Sequence, residues 1–221
     1  MLAELHQQLS SLYRVDASHD IHDYLVTDPV LAGVLSQGAL STNTEETLLV
    51  TEDDDGVAMS LYLDADMLQR LESDSPLHRL HVAHLDDFWK VLEGISHFNC
   101  MAWKARRERS VSLLELELQG EIDKFLSAML LAEDQDNECL QQELHAWLFE
   151  ATRLKDDLDH FERKRYEAAS RYAARFCHHI QNEWQSAGKL PIDELRRFFR
   201  LQLQDKISHI HAGAWTTRKS R

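Results

Sequence analysis

Thirteen histidines and 38 carboxylates give this 221-residue chain ample material for metal binding or acid–base chemistry. Glu93 and His97 are four residues apart, as are Glu117 and Glu121, and that interval puts each pair on one face of a helix. In two helices joined as an antiparallel hairpin turning near Arg109, His97 and Glu121 stand level, and the four groups form a donor set for a divalent cation. The helical wheel points to solvent instead. With Ile95 at the centre of the apolar face, Glu93 and His97 lie roughly 160° away on either side, beside Lys90 and Lys104. The interval is also longer than the Glu-x-x-His of bundled di-metal sites. Glu93, His97, Glu117 and Glu121 are therefore candidate ligands for a divalent metal, the one cofactor the sequence suggests, with a solvated charged face as the competing reading.

A second set of charges sits within or beside apolar stripes. Glu115 and Glu121 each lie roughly 60° from the centre of the stripe through Leu118, where burial can raise a carboxyl pKa into the range useful for proton transfer. They can equally serve as cap and rim residues. Glu162 and Arg165 fall inside the stripe of Leu158, Phe161, Ala169, Tyr172, Ala173, Phe176, Ile180 and Trp184. On an exposed helix such an i, i+3 pair contributes only about 0.2 to 0.5 kcal/mol, whereas burying one member unpaired costs several kcal/mol on the order-of-magnitude scale for buried charges. A polar cluster of Glu115, Glu121, Glu162 and Arg165 is the economical expectation, either as scaffold or around a ligand.

Three other patterns carry less. His78, His81 and His84 suit a metal only on a helix, and if Leu80 to Ala83 forms a strand, His81 faces away from the other two. Asp53-Asp54-Asp55-Gly56 lacks the spaced ligands and terminal Glu of a calcium loop and reads as a hairpin turn. Asp157-Leu158-Asp159-His160 is too short a match to assign. The chain has no glycine-rich phosphate loop, no nucleophile elbow and no Cys-x-x-Cys.

The elements that must position these residues are mostly helices, since 221 residues contain only seven Gly and three Pro. Amphipathic helices are predicted over Leu2–Tyr13 and over 21–35, the latter interrupted at Pro29 with Asp28 as its N-cap. Thr47–Thr51 and Val57–Leu63 alternate as a β-hairpin, Leu80–Ala83 offers a third strand, and Asp64 caps a short helix to Glu72. Asp86 or Asp87 is the expected cap of a helix to Arg107 with Phe88, Val91, Leu92, Ile95, Phe98 and Ala102 on one face. Ser112 and Glu115 form a capping-box pair before a helix to Ala132. A strand over 111–119 is the alternative there, because Leu114, Leu116 and Leu118 alternate with polar residues. From Glu138 to Ala187 an unbroken helix would be about 75 Å long, too long for a compact domain, so a break is expected near 155–157. Helices over 192–199 and 204–211 complete a mainly α (α+β) fold, a bundle of seven to nine helices with a two- or three-stranded antiparallel sheet in the N-terminal half. One domain over 1–221 is expected, with 1–135 and 136–221 as the natural subdivision.

The formal charge of −14 opposes nucleic-acid binding, and Arg196, Arg197, Arg200 and Lys206 with the tail Arg218, Lys219 and Arg221 read as a solvated basic face. Cys100, Cys139 and Cys177 are far apart and read as buried free thiols of a reducing compartment. No apolar run reaches membrane-span length and no signal core opens the chain, so the expected location is the cytoplasm. With no catalytic motif and an asymmetric charge distribution, a non-catalytic protein-interaction or regulatory role, with a protein partner or self-association, is preferred. The alternative is a metal-dependent or acid–base enzyme with an interhelical carboxylate/histidine pocket.

Overall fold

A computed structural model describes residues 1–15, 19–38, 40, 44–53, 56–151 and 158–212. Among them the chain forms α1 (Leu2–Tyr13), β1 (Leu25–Val26), α2 (Pro29–Leu35), β2 (Glu46–Asp53), β3 (Gly56–Leu63), α3 (Ala65–Ser73), α4 (Leu85–Ala105), α5 (Leu113–Asp134), α6 (Glu138–Ala146), α7 (His160–Ala187), α8 (Ile192–Arg200) and α9 (Leu203–Ala212). The mainly helical fold with a small N-terminal sheet is as expected, and 113–134 is helix, because its apolar stripe continues past Gly120 onto Ile122, Phe125 and Met129, all buried. Among the described residues no helix is long and apolar enough to cross a membrane.

The third strand is not 80–83. It is Leu25–Val26, which pairs parallel with Leu61–Tyr62, while β2 and β3 pair antiparallel from Glu46↔Leu63 to Asp53↔Gly56. The sheet is therefore mixed. Leu25 and Val26 lie just ahead of Asp28-Pro29, where the chain must be extended before proline, so the predicted helix from residue 21 is only a single tight turn, Ile21–Tyr24. Val82–His84 makes another tight turn leading into α4. The cap of α4 also differs: the helix starts at Leu85, and Asp87 is instead held by the Arg70 guanidinium at 2.7 and 2.9 Å. The expected caps at Asp28 and Asp64 are present, accepting from Val30 and Leu31 and from Met67.

Helices α4 and α5 form the centre. α4 is covered by α1, by the inner end of the hairpin and by α5, and α5 in turn by α6 and α7. One apolar core runs from Leu2 in α1 to Ile210 in α9. Its far end is built of aromatic stacks: Phe176 on Phe198 at 3.9 Å and Tyr13 on Phe199 at 4.4 Å. The basic residues expected to face solvent are in part structural. Arg196 and Arg200 donate to the carbonyls of Leu12 and Tyr13 at the end of α1 (2.8 and 3.1 Å), satisfying groups that a helix end leaves open, and Lys206 is fully buried. Cys100 and Cys177 are buried free thiols, while Cys139 is exposed. Phe161, in the first turn of α7, stands in solvent instead of in the stripe. The predicted break at 155–157 and the tail basic residues Arg218, Lys219 and Arg221 lie outside the described residues.

A glycine decides how closely the sheet approaches. A Cβ on Gly94 of α4 would stand 2.8 Å from Leu61 Cδ1 and 3.1 Å from Glu46 Cγ, so the inner end of the hairpin lies on bare helix backbone. Glu45 fixes it there, with Lys90 Nζ at 2.6 Å and its carbonyl accepting from Asp64 N at 2.8 Å. Gly94→Ala gains roughly 1 kcal/mol of helix propensity but loses about 1 to 3 kcal/mol to overpacking. The expected outcome is a lowered midpoint in thermal denaturation; an unchanged or raised midpoint would show that the hairpin is not seated on this turn.

Candidate metal centre

Two buried polar clusters sit side by side between α4 and α5, and they differ in charge balance. The first is built on Glu115, Gln119 and Asp123, successive turns of one α5 face. Lys104 Nζ donates to Glu115 Oε1 at 2.7 Å, and Lys206 Nζ lies 3.7 Å from the same oxygen and donates to Gln119 Oε1 at 2.9 Å. Asp123 accepts from Tyr13 Oη, from Ser96 Oγ at 2.5 Å and from Gln119 Nε2 at 3.0 Å. Two carboxylates face two lysines, and each of these side chains has a partner. Burial still pushes Asp123 up to about 6 and lowers Lys206, the direction expected for ionised groups removed from water. The Ser112 hydroxyl caps α5 by accepting from Glu115 N at 3.2 Å, but the Glu115 carboxylate is committed to Lys104.

The second cluster lies on the neighbouring faces. Glu93 and His97 project from α4, Glu117 and Glu121 from α5, Glu46 from the start of β2, and Arg165 from α7. His97 Nδ1 is 3.8 Å from Glu46 Oε1 and Nε2 is 3.9 Å from Glu117 Oε2. Lys124 Nζ bridges Glu93 (2.9 Å) and Glu121 (2.6 Å), and Arg165 Nε is 3.7 Å from Glu117 Oε1. Glu46, Glu93 and His97 each bring a ligand atom within 4.8 Å of the others, the one such three-residue group among the described residues. Gly120 makes the room: a Cβ there would stand 3.2 Å from His97 Nε2.

His97 is 9% exposed, not solvated as the helical wheel placed it. The wheel assumes one buried side, whereas α4 is covered on both, by α5 and by the hairpin. Glu46 was not among the sequence candidates, because a residue opening a strand carries no periodic signal linking it to a helix 50 positions on. The other expected residues divide. Glu121 and Arg165 belong to this cluster and Glu115 to the first, while Glu162 accepts from the backbone N–H of Asp159 at 3.0 Å as the reciprocal half of the α7 capping box and lies 4.0 Å from Arg165. His81 and His84 meet in a T-shaped ring contact and His84 pairs with Asp74 at 3.1 Å, apart from the cluster.

Four carboxylates here face two permanent cations, Lys124 and Arg165, leaving two negative charges when His97 is neutral. Three buried atoms of the cluster, Glu46 Oε1, His97 Nε2 and Arg165 Nε, have no hydrogen-bond partner. Protons make up part of the deficit. Burial opposes a charged His97, yet Glu46, Glu117 and Glu93 outweigh it and raise the ring to about 9. Burial, only partly offset by His97, raises Glu117 to about 7, and Glu46 and Glu121 are raised for the same reason. Burial also works against the Lys124 ammonium, but Glu121 and Glu93 hold it protonated. No family description matches the chain, and no curated protein and no solved structure is significantly similar to it.

The balanced cluster gives a direct expectation. Glu115→Leu leaves two buried lysines facing each other, and removing one partner of a buried ion pair destabilises by about 3 to 5 kcal/mol. Urea denaturation is expected to show the midpoint falling accordingly. A loss under about 1 kcal/mol, the value of a surface pair, would mean that the cluster is hydrated.

Proposed function

We propose that this chain is a metal-dependent enzyme in which His97, Glu46 and Glu93 hold one divalent first-row ion at the α4–α5–β2 junction. The supporting observation is the incomplete buried cluster: three donors within 4.8 Å, four carboxylates facing two permanent cations so that protons must make up the difference, and His97 Nε2 and Glu46 Oε1 lacking hydrogen-bond partners. One imidazole with carboxylate oxygens suits Zn²⁺, Mn²⁺ or Fe²⁺. At metal–ligand distances of about 2.0 to 2.2 Å the ligand atoms stand roughly 3 to 4.2 Å apart, so a small inward movement of side chains completes the set. The ion would take the Nδ1 side, facing Glu46, and Nε2–H would be oriented by Glu117, the usual arrangement of a carboxylate behind a metal-bound histidine. Three protein ligands leave a position for water or substrate, as catalytic sites require. Glu93, Glu121 and Arg165 keep 20, 17 and 21% of their side-chain surface exposed, a route for a small ion.

Elemental analysis of untagged protein is expected to find close to one ion per chain. Zn²⁺ titration in two buffers of different ionisation enthalpy is expected to show release of between one and two protons, since metal replaces the proton of His97 and favours ionised Glu117. His97→Gln and Glu46→Gln should weaken binding at least about 10-fold. A metal-free preparation with no stoichiometric binding, or variants that bind as the parent does, would remove the reading. Without metal the pH dependence has a defined sign. The raised folded-state values of His97 and Glu117 mean that their protonated forms stabilise the fold. That contribution is complete at low pH and is lost as pH rises through about 7 for Glu117 and about 9 for His97. The thermal midpoint of the metal-free protein is expected to fall as pH rises from 4.5 to about 7, where Glu117 loses its proton, and from 6.5 to about 9, where His97 does, and metal should abolish the fall.

An interaction role has one feature in its support. Val30, Leu31, Val34 and Leu35 leave the outer side of α2 apolar, with Val30 74% exposed, an area that self-association would cover. Sedimentation is expected to show a concentration-dependent dimer lost in Val34→Asp; a monomer at all concentrations would dismiss it. Free thiols at Cys100, Cys139 and Cys177 support placement in a reducing compartment such as the cytoplasm.

A further inference from the structure

Where the C-terminal ends of α1 and α4 meet, a cavity of about 450 Å³ opens to the surface. Among the described residues lining it there is no carboxylate, in a chain whose formal charge is −14. Arg14, Arg106 and Arg107 stand around its mouth and are exposed. Its floor holds Asn99, 6% exposed, whose Nδ2 has no hydrogen-bond partner. Phe98 and Ala102 supply an apolar wall.

We propose that this cavity is a binding site for a small phosphate monoester, distinct from the metal cluster and independent of it. The guanidiniums of Arg14 and Arg107 match a dianion better than they match a single carboxylate, and each can bind phosphate oxygens bidentately. The buried amide N–H of Asn99 is a donor left without an acceptor until a ligand oxygen meets it, which is the condition under which a polar group gives specificity. The volume exceeds that of a bare phosphate, and the Phe98 side accepts a compact organic part. Arg107 is already set in place, stacked 4.4 Å over the Trp103 ring and donating to the Trp103 carbonyl at 3.4 Å. Arg106 is hydrogen-bonded to His19 at 2.5 Å.

Two opposing influences are weaker. Each helix C-terminus contributes about half a negative charge, together less than the two full positive charges of Arg14 and Arg107, and the carbonyls of α1 are already engaged by Arg196 and Arg200. The net negative charge of the whole chain is screened beyond about 8 Å at physiological salt. His6 lies at the same cavity, where burial lowers its pKa against the raising influence of Asn99 and Asp20, so it enters as a neutral ring. Asn99 is two residues, about 200°, around α4 from His97, so the two sites use different sides of one helix.

The test titrates the full chain, with EDTA present so that no phosphate is read through a bound metal, against phenyl phosphate, inorganic phosphate and benzoate by calorimetry. Phenyl phosphate is expected to saturate one site and to bind about 10-fold more tightly than either of the others, the difference a well-placed charged contact makes. Arg14→Gly, which suits the left-handed backbone at φ 51°, and Arg107→Gln should each weaken it about 10-fold, with Asn99→Asp abolishing it. Arg79→Ala, at the opposite end of α4, should leave it unchanged. No saturable binding, equal weakening by Arg79→Ala, or benzoate binding as tightly as phenyl phosphate would each overturn the proposal. So would retained binding in Arg14→Gly and Arg107→Gln, since both residues are exposed and their variants should keep the fold.

Discussion

Helices α4 and α5 are enclosed on nearly every side, and yet they carry Glu93, His97, Lys104, Glu115, Glu117, Glu121, Asp123 and Lys124. Charges on a peripheral helix turn to water. On these two helices they must find hydrogen-bond or ion-pair partners within the protein, and the positions of α1, α7, α9 and the hairpin are set by what they bring to that task. Tyr13 comes from α1, Arg165 from α7, Lys206 from α9 and Glu46 from β2. Hydrophobic burial drives the elements together, but it is indifferent to small shifts of register. The buried ionic groups are not, because a displacement of one turn would leave a charge in a low-dielectric interior without its partner.

The two clusters show different uses of the same residue types. Around Glu115 and Asp123, charges cancel and donors meet acceptors, so the arrangement serves the scaffold. Around His97 the carboxylates outnumber the fixed cations, and the protein holds protons to compensate. A natural sequence keeps such an imbalance in its interior at a stability cost, and sites that break the local rules are where function is expected. The contrast between neighbouring clusters built on the same two helices is a stronger guide than acidic content, which is high throughout this chain.

Much of the fold was legible because it depends on local chemistry. The stripe of Phe88, Val91, Leu92 and Ile95, the Asp28-Pro29 start and the Asp64 cap each act within a few residues, and the elements they specify are where they were expected. The third strand was not legible, since Leu25–Val26 is two residues long and pairs with a segment 36 positions away. The site was legible in part. Glu93 and His97, and Glu117 and Glu121, have the spacing of a shared face, but the wheel that assigned Glu93 and His97 to solvent contains no information about what covers that face. Glu46 and Lys124 enter only through tertiary contact. Gly94 and Gly120 are the missed signal: each is a glycine inside a strongly helical pattern, where it lowers helix stability, and each marks a place where another group must come close to the backbone.

Lys206 has a consequence for how the chain is made. Glu115 and Gln119 reach their final partner only when residue 206 is present, about 90 residues later in the sequence. At roughly 5 to 20 residues per second of synthesis, the central helices exist for some seconds with that part of their interior incomplete. During this interval a nascent chain has its hydrophobic stripes formed but lacks the ammonium that settles them, which makes α9 a closing piece of the interior.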